Sequence, residues 1–197
     1  MDTSMINLRI NEIKKSKYIK LYNINLIKNG KEISWEYAEI HDSVSTLLYD
    51  ENKKSFLLVK QIRIPLLYKQ IKNNISSKNL GYTYELCSGL MDKNLSEKET
   101  AIEEILEETG FCVKNLEKIA TFHSALGTSA TKQTFFYAQI DDSMKIGKGG
   151  GIDGEEIELF YLPIENAREF LNDDDYIKPA SLGYCFMWWF DKFGFRL

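Results

Sequence analysis

Glu104, Glu107 and Glu108 are the residues of this chain whose type and spacing most directly suggest chemistry. At 100° per residue they occupy one arc of a helix, so three carboxylates converge on a single patch. On an exposed helix, like charges three and four residues apart cost roughly 0.2–0.5 kcal/mol per pair. Oxygen donors gathered in this way suit a hard divalent cation such as Mg2+, which keeps several waters and takes further ligands from phosphate. From the helix alone, a plain solvated acidic face is the competing reading.

The helix that must present these side chains is well marked. Ser96 followed by Glu99 forms a capping box, and Gly110 ends the segment in the favoured way. The spacing predicts a helix over 97–109, with Ile102, Ile105, Leu106 and Thr109 on the face opposite the three glutamates. Upstream, alternating runs Tyr18 to Ile27 and Ile33 to Ile40 flank Asn29-Gly30, the strongest short-range signal for a hairpin. A two-stranded unit is not stable alone in water, so it must pack on the rest of the chain or on a second copy. Further strands are expected over 44–49, 56–64, 82–87, 117–124, 134–140 and 157–162. Lys72 to Gly81 reads as a polar loop, and helices close the chain over 164–171 and 181–193. Gly147 to Gly154 holds five glycines, the composition of a flexible loop. Glycines 149–151 lack the following Lys and helix of a P-loop.

The chain has 197 residues and a formal net charge of −4, with 44% hydrophobic and 27% charged residues, as expected of a globular protein with a real core. Seven acids and two bases fall between Gly89 and Phe111, so that segment carries −5 and the rest of the chain +1. A domain that coats nucleic acid is usually net basic, so no nucleic-acid partner is expected. Cys87, Cys112 and Cys185 form no Cys-x-x-Cys pair, which argues against a thiolate zinc site and suits a reducing compartment. No stretch approaches the about 18 apolar residues of a membrane span, and residues 1–10 lack the apolar core of a signal peptide. A cytoplasmic protein with no membrane partner is the expectation.

Gly89 to Phe111, GLMDKNLSEKETAIEEILEETGF, resembles the Nudix box: it keeps the 23-residue spacing with Gly89, Glu104, Ile105, Glu107, Glu108, Gly110 and Phe111 in place. Two positions depart, with Leu95 where the box has its first Glu and Glu103 where it has Arg. That Arg generally helps to hold the metal-binding carboxylates; Lys93, Lys98 or Lys132 are the candidates to supply the missing positive charge. YELCSGLMD, FHSALGTSATKQTFFYAQI and GKGGGIDGEEIELFYLP extend the likeness to nearly the whole chain, and look like the nucleoside-diphosphate-sugar branch of the family, nearest to UDP-sugar diphosphatases with ADP-ribose pyrophosphatases as relatives.

The resemblance implies an α/β (α+β) Nudix fold, a mixed β-sheet sandwiched between helices with an N-terminal antiparallel β-hairpin extension. Residues 1–42 would form a dimerisation region and 43–197 the hydrolase domain of a homodimer. It implies Mg2+, with Mn2+ as a possible substitute, on Glu104, Glu107, Glu108 and the backbone carbonyl of Ser88. Glu155, with Glu156 and Asp153 adjacent, would supply the catalytic base or an extra metal ligand, beside Glu107. Arg63 would contact substrate phosphate or ribose, Glu85 would sit near the substrate, and the loop SALGTS, with Ser124 and Gly127, would line the pocket. The implied reaction is Mg2+-dependent hydrolysis of a nucleotide sugar, UDP-glucose-like to UMP and sugar 1-phosphate. ADP-ribose hydrolysis to AMP and ribose 5-phosphate is the alternative, and a non-catalytic domain that binds a nucleotide sugar is a second.

Overall fold

The computed structural model describes residues 9–11, 13–152 and 154–194. The N-terminal hairpin consists of β1 (Lys20–Lys28) and β2 (Lys31–Glu39). Asn29 (φ 53°) and Gly30 (φ 72°) take the left-handed conformations that its two-residue turn requires. The register sets Tyr22 opposite Tyr37, Ile24 opposite Trp35 and Leu26 opposite Ile33, so one face of the ribbon is continuously apolar. Both strands are nonetheless exposed along most of their length. Contact with the rest of the chain includes the Trp35 indole donating to the Gly127 carbonyl (2.7 Å) and the Ala38 amide donating to the Thr128 carbonyl (2.9 Å).

The remaining strands are β3 (Ser43–Asp50), β4 (Ser55–Ile62), β5 (Tyr82–Glu85), β6 (Cys87–Leu90), β7 (Glu117–Ser124), β8 (Thr131–Ile140) and β9 (Glu158–Pro163). They form a seven-stranded sheet in the order β5-β4-β3-β8-β7, with β6 also paired to β3 and β9 to β4. The sheet is mixed, because β3 and β8 run parallel at its centre while the other pairings are antiparallel.

Period-two alternation divides the strand residues between two cores. Leu47, Phe56, Leu58, Phe135 and Tyr137 face helices α3 (Ala167–Asn172) and α4 (Ala180–Phe193), meeting Phe170, Leu182, Cys185, Phe186, Trp189 and Phe190. Leu48, Leu57, Val59, Ala138 and Ile140 face the other way and pack with Ile105, Phe111 and Val113 around helix α2 (Glu97–Glu104). Fully burying one such side chain stabilises the fold by roughly 1.5–3 kcal/mol. The sheet is therefore sandwiched between helices.

Three features differ from the sequence reading. The strand expected to reach Ile64 stops at Ile62, and residues 64–72 form helix α1 (Ile64–Lys72), whose Pro65 in the first turn suits a helix start. The capping box on Ser96 is present, but the helix it begins is not uniform: α2 passes into a turn of π-helix over Ile105–Thr109. A wider turn rotates the side chains that follow away from 100° steps. Leu106, expected on the apolar face, is consequently exposed and Glu108 is buried, while Thr109 is buried as expected. The third concerns the glycine loop. Residues 145–151 take the last three carbonyls of the acidic helix, Glu107, Glu108 and Thr109, and that of Gly110 just beyond it, groups that have no partner within the helix itself. Gly151 N–H donates to Glu107 O (3.1 Å), Gly150 N–H to Glu108 O (2.8 Å), and Ile146 and Gly147 N–H to Gly110 O (3.0 Å each), while the Lys145 ammonium binds Thr109 O. This half of the loop is docked rather than free.

All three cysteines are unpaired, with Cys87 and Cys185 buried. Among the described residues no helix is long and apolar enough to cross a membrane.

Candidate active site

A cleft of about 620 Å3 opens between the acidic helix, the ends of β3–β6 and the glycine loop. It brings together Arg63, Glu85, Ser88, Glu104, Glu107, Glu108 and Glu155, which are far apart in sequence. Glu156 is exposed and is not among the lining residues, and Asp153 lies outside the described residues. Ser124 and Gly127 are not in the cleft of this chain. Ser124 shares a hydroxyl hydrogen bond with Thr131 (3.0 Å), and Gly127 faces the hairpin through its carbonyl.

The carboxylates are held tightly. Glu108 is only 4% exposed and accepts a hydrogen bond from the Ser88 amide (3.0 Å), so the helix is tied to β6 just before the acidic motif begins. Burial pushes its carboxyl up to about 8, against the pull of the Cys87 and Ser88 hydrogen bonds and with the help of the nearby Glu104 and Glu155 charges. Burial and then the charge of Glu107 push Glu104 up to about 7. Gly89 is needed beside them for a steric reason, since a Cβ there would fall inside the Glu104 carboxylate. On the opposite wall, Arg63 pairs bidentately with Glu85 through Nε (2.8 Å) and Nη2 (2.7 Å). Burial raises the Glu85 carboxyl, but the Arg63 hydrogen bond and charge and the Thr83 hydroxyl outweigh it and hold the group below its ordinary value.

Of the three lysines proposed to replace the missing Arg, the structure brings Lys93 to the site, with Nζ 2.8 Å from Glu103 and 3.7 Å from Glu107. Lys132 instead joins Lys118 on Glu97, at the start of α2. The sequence reading missed a polar chain on the cleft floor, in which the Gln133 amide donates to Ser45 Oγ (2.9 Å), and Ser45 and Ser88 share a hydrogen bond (2.7 Å). The available signal was Ser43 and Ser45, two serines at alternate positions that line one face at the start of β3.

Among the described residues no three acidic, histidine or cysteine side chains stand ready-made to hold a metal ion. What exists is an open set: three glutamates from two helical turns, a fourth from the glycine loop, and too few cations to neutralise them. Mg2+ uses such sets, taking one or two carboxylates and completing its octahedron with water and substrate phosphate.

The NUDIX domain family matches residues 39–181, and the chain belongs to the Nudix hydrolase family. It is similar to the uridine diphosphate glucose pyrophosphatase NUDT14 of Bos taurus, 32% identical over 199 residues and covering 89% of each chain. It is also similar to the GDP-mannose pyrophosphatase of Pectobacterium atrosepticum, 33% identical over 149 residues, covering 74% of this chain and 72% of that one. Among solved structures, one titled as an ADP compounds hydrolase superposes with a TM-score of 0.70 at 18% identity over 95% of this chain and 94% of its own, a likeness of fold.

Proposed function

We propose that the protein hydrolyses the diphosphate bond of nucleoside diphosphate sugars with Mg2+, giving UMP and sugar 1-phosphate from UDP-glucose-like substrates. The observation that carries this reading is the convergence of Glu104, Glu107, Glu108 and Glu155 in one cleft opposite the Arg63 guanidinium. UDP-glucose is preferred to GDP-mannose because identity to the UDP-glucose pyrophosphatase extends over more of both chains. Glu104, Glu107, Glu108 and the Ser88 carbonyl are the groups that would hold Mg2+, with Mn2+ as a substitute. When bound, the metal supplies charge stabilisation at phosphoryl oxygens and a more acidic water.

The chain's own residues account for the rest. Glu155, exposed at the cleft and oriented by the Ile152 amide (3.3 Å), is the base that takes the proton of the attacking water. Glu156 and Asp153 are its neighbours in sequence. Glu85 engages Nε and Nη2 of Arg63, which leaves Nη1 for a phosphate oxygen and fixes the fork before substrate arrives. The apolar hairpin face supports a homodimer in which residues 1–42 pack against a second copy.

Purified protein with Mg2+ is offered UDP-glucose, GDP-mannose and ADP-ribose separately, and the nucleotide products are separated and quantified. UDP-glucose is expected to turn over fastest; faster hydrolysis of ADP-ribose or GDP-mannose overturns the substrate choice. Absence of Mg2+-dependent product from all three overturns the enzymatic reading. Glu108→Gln is expected to lose about a hundredfold or more in kcat/KM, the equivalent of ~3 kcal/mol. An unaffected variant refutes the ligand assignment.

A further inference from the structure

Glu103 and Glu107 stand four residues apart on the acidic helix, a like-charge spacing that opposes holding either carboxylate still. One cation answers both: Lys93 Nζ contacts Glu103 Oε2 at 2.8 Å and Glu107 Oε1 at 3.7 Å. Lys93 belongs to the segment between β6 and α2, not to the helix. That segment is anchored at its start by the Met91 amide on Asp42 O (2.8 Å) and at its end by the reciprocal Ser96–Glu99 cap. The ammonium therefore reaches the helix from a backbone fixed on both sides. Other cations near the site or the helix start are engaged elsewhere, Arg63 with Glu85 and Lys118 and Lys132 with Glu97.

We propose that Lys93 is a positioning residue for Glu107: anchored by Glu103, it holds the Glu107 carboxylate in the cleft in the place where a divalent cation binds. The proposal rests on the metal reading given above. It assigns Glu103, which is not among the proposed metal ligands, the task of fixing the lysine. Electrostatics and positioning predict opposite signs here, which makes the role measurable. As a mere neighbouring charge, Lys93 would repel Mg2+, and its removal would tighten binding. As a positioning group, its removal loosens binding.

The test is calorimetric titration of Mg2+ into the full chain without nucleotide, for wild type, Lys93→Ala, Lys93→Arg and the double variant Lys93→Ala/Glu103→Arg. Lys93→Ala is expected to raise the Mg2+ Kd by about tenfold, the usual scale for groups that orient metal ligands. Lys93→Arg stays within about threefold of wild type, since the charge is kept at the same anchor. In the double variant the guanidinium at position 103 stands one turn from Glu107 and restores the Kd to within about threefold. Lys93 is exposed, so these variants fold, and matching far-UV circular dichroism checks that they do. A Kd in Lys93→Ala equal to or below that of wild type overturns the proposal and leaves the metal reading standing. A double variant as weak as Lys93→Ala overturns it as well, because the position of the charge would then not be what matters. A wild-type chain that binds no Mg2+ removes both.

Discussion

At the scale of single residues, the cleft gathers acids at a cost in stability, as the proposed cation site requires. Glu108 is an acid buried beside Glu104 with no ammonium or guanidinium in contact among the described residues, an arrangement that costs stability when the group ionises without a metal. Gly89 shows how narrow the accommodation is. In Gly89→Ala the new methyl group displaces the far end of the flexible Glu104 side chain rather than backbone, so the fold is only lightly affected. Urea unfolding of this variant is expected to stay within about 1 kcal/mol of wild type. Its Mg2+-dependent turnover falls by about tenfold or more, because the carboxylate moves and the helix does not. A variant with full turnover would show that the Glu104 position does not matter to the chemistry. The gathering of Glu104, Glu107 and Glu108 in one place is legible in the sequence because local helical spacing carries it. Arg63 meeting Glu85 and Lys93 meeting Glu103 are not, since such pairings depend on strand register and loop path.

At the scale of elements, the acidic helix is fixed at both ends by parts of the chain far from it in sequence. At its start, Glu97 receives Lys132 (2.8 Å) and Lys118 (3.2 Å) from β8 and β7. The Lys132 hydrogen bond, opposed by burial and supported by Lys118, holds the Glu97 carboxyl down at about 2. A depressed acid contributes stability above its unfolded value of about 4.3 and loses it as pH falls through the folded one. Glu97→Gln is therefore expected to unfold at lower urea than wild type at pH 7, by about 1 kcal/mol or less for so accessible a pair. The gap narrows below about pH 4.5 and closes near pH 2. A gap constant from pH 7 to pH 2 would mean that the ion pairs are not its source. At the other end sits the glycine loop. Gly149 (φ +70°) would place a Cβ 2.5 Å from Glu108 O, so Gly149→Ala combines left-handed strain of about 1–2 kcal/mol with an undocked loop. Differential scanning calorimetry is expected to show a Tm lower by about 5 °C or more. The five glycines suggested flexibility because composition reports conformational freedom and not what the freed backbone bonds to. The π turn escaped for a related reason: a fixed 100° step cannot register a change of phase, which is why Leu106 and Glu108 exchange the surroundings expected of them.

At the scale of the whole molecule, the hairpin is the element whose surroundings a single chain leaves incomplete. Its apolar pairs, Ile24 with Trp35 and Leu26 with Ile33, remain largely in water, and a ribbon of this kind needs a further surface to be stable. Sedimentation at micromolar concentration is expected to give twice the chain mass of 22.9 kDa. Ile24→Asp combined with Trp35→Asp should return the single-chain mass with the Nudix domain still folded. A wild-type monomer would overturn the homodimer proposal. The parallel pairing of β3 with β8 was beyond reading from the chain, since nothing local connects Ser43 to Gln133 or Asp50 to Ile140. That pairing also governs the order of assembly. The acidic helix and β6 both lie between the two central strands in sequence, so the helix is complete while the sheet on which Ile105 packs still lacks its middle strand. Closing a contact across about ninety residues is slow compared with forming a helical turn. During synthesis or refolding three of the carboxylates already share the helix, but Glu155 joins them only after the chain has passed residue 155 and the glycine loop has docked, so the four-carboxylate cleft is completed late in the life of each chain.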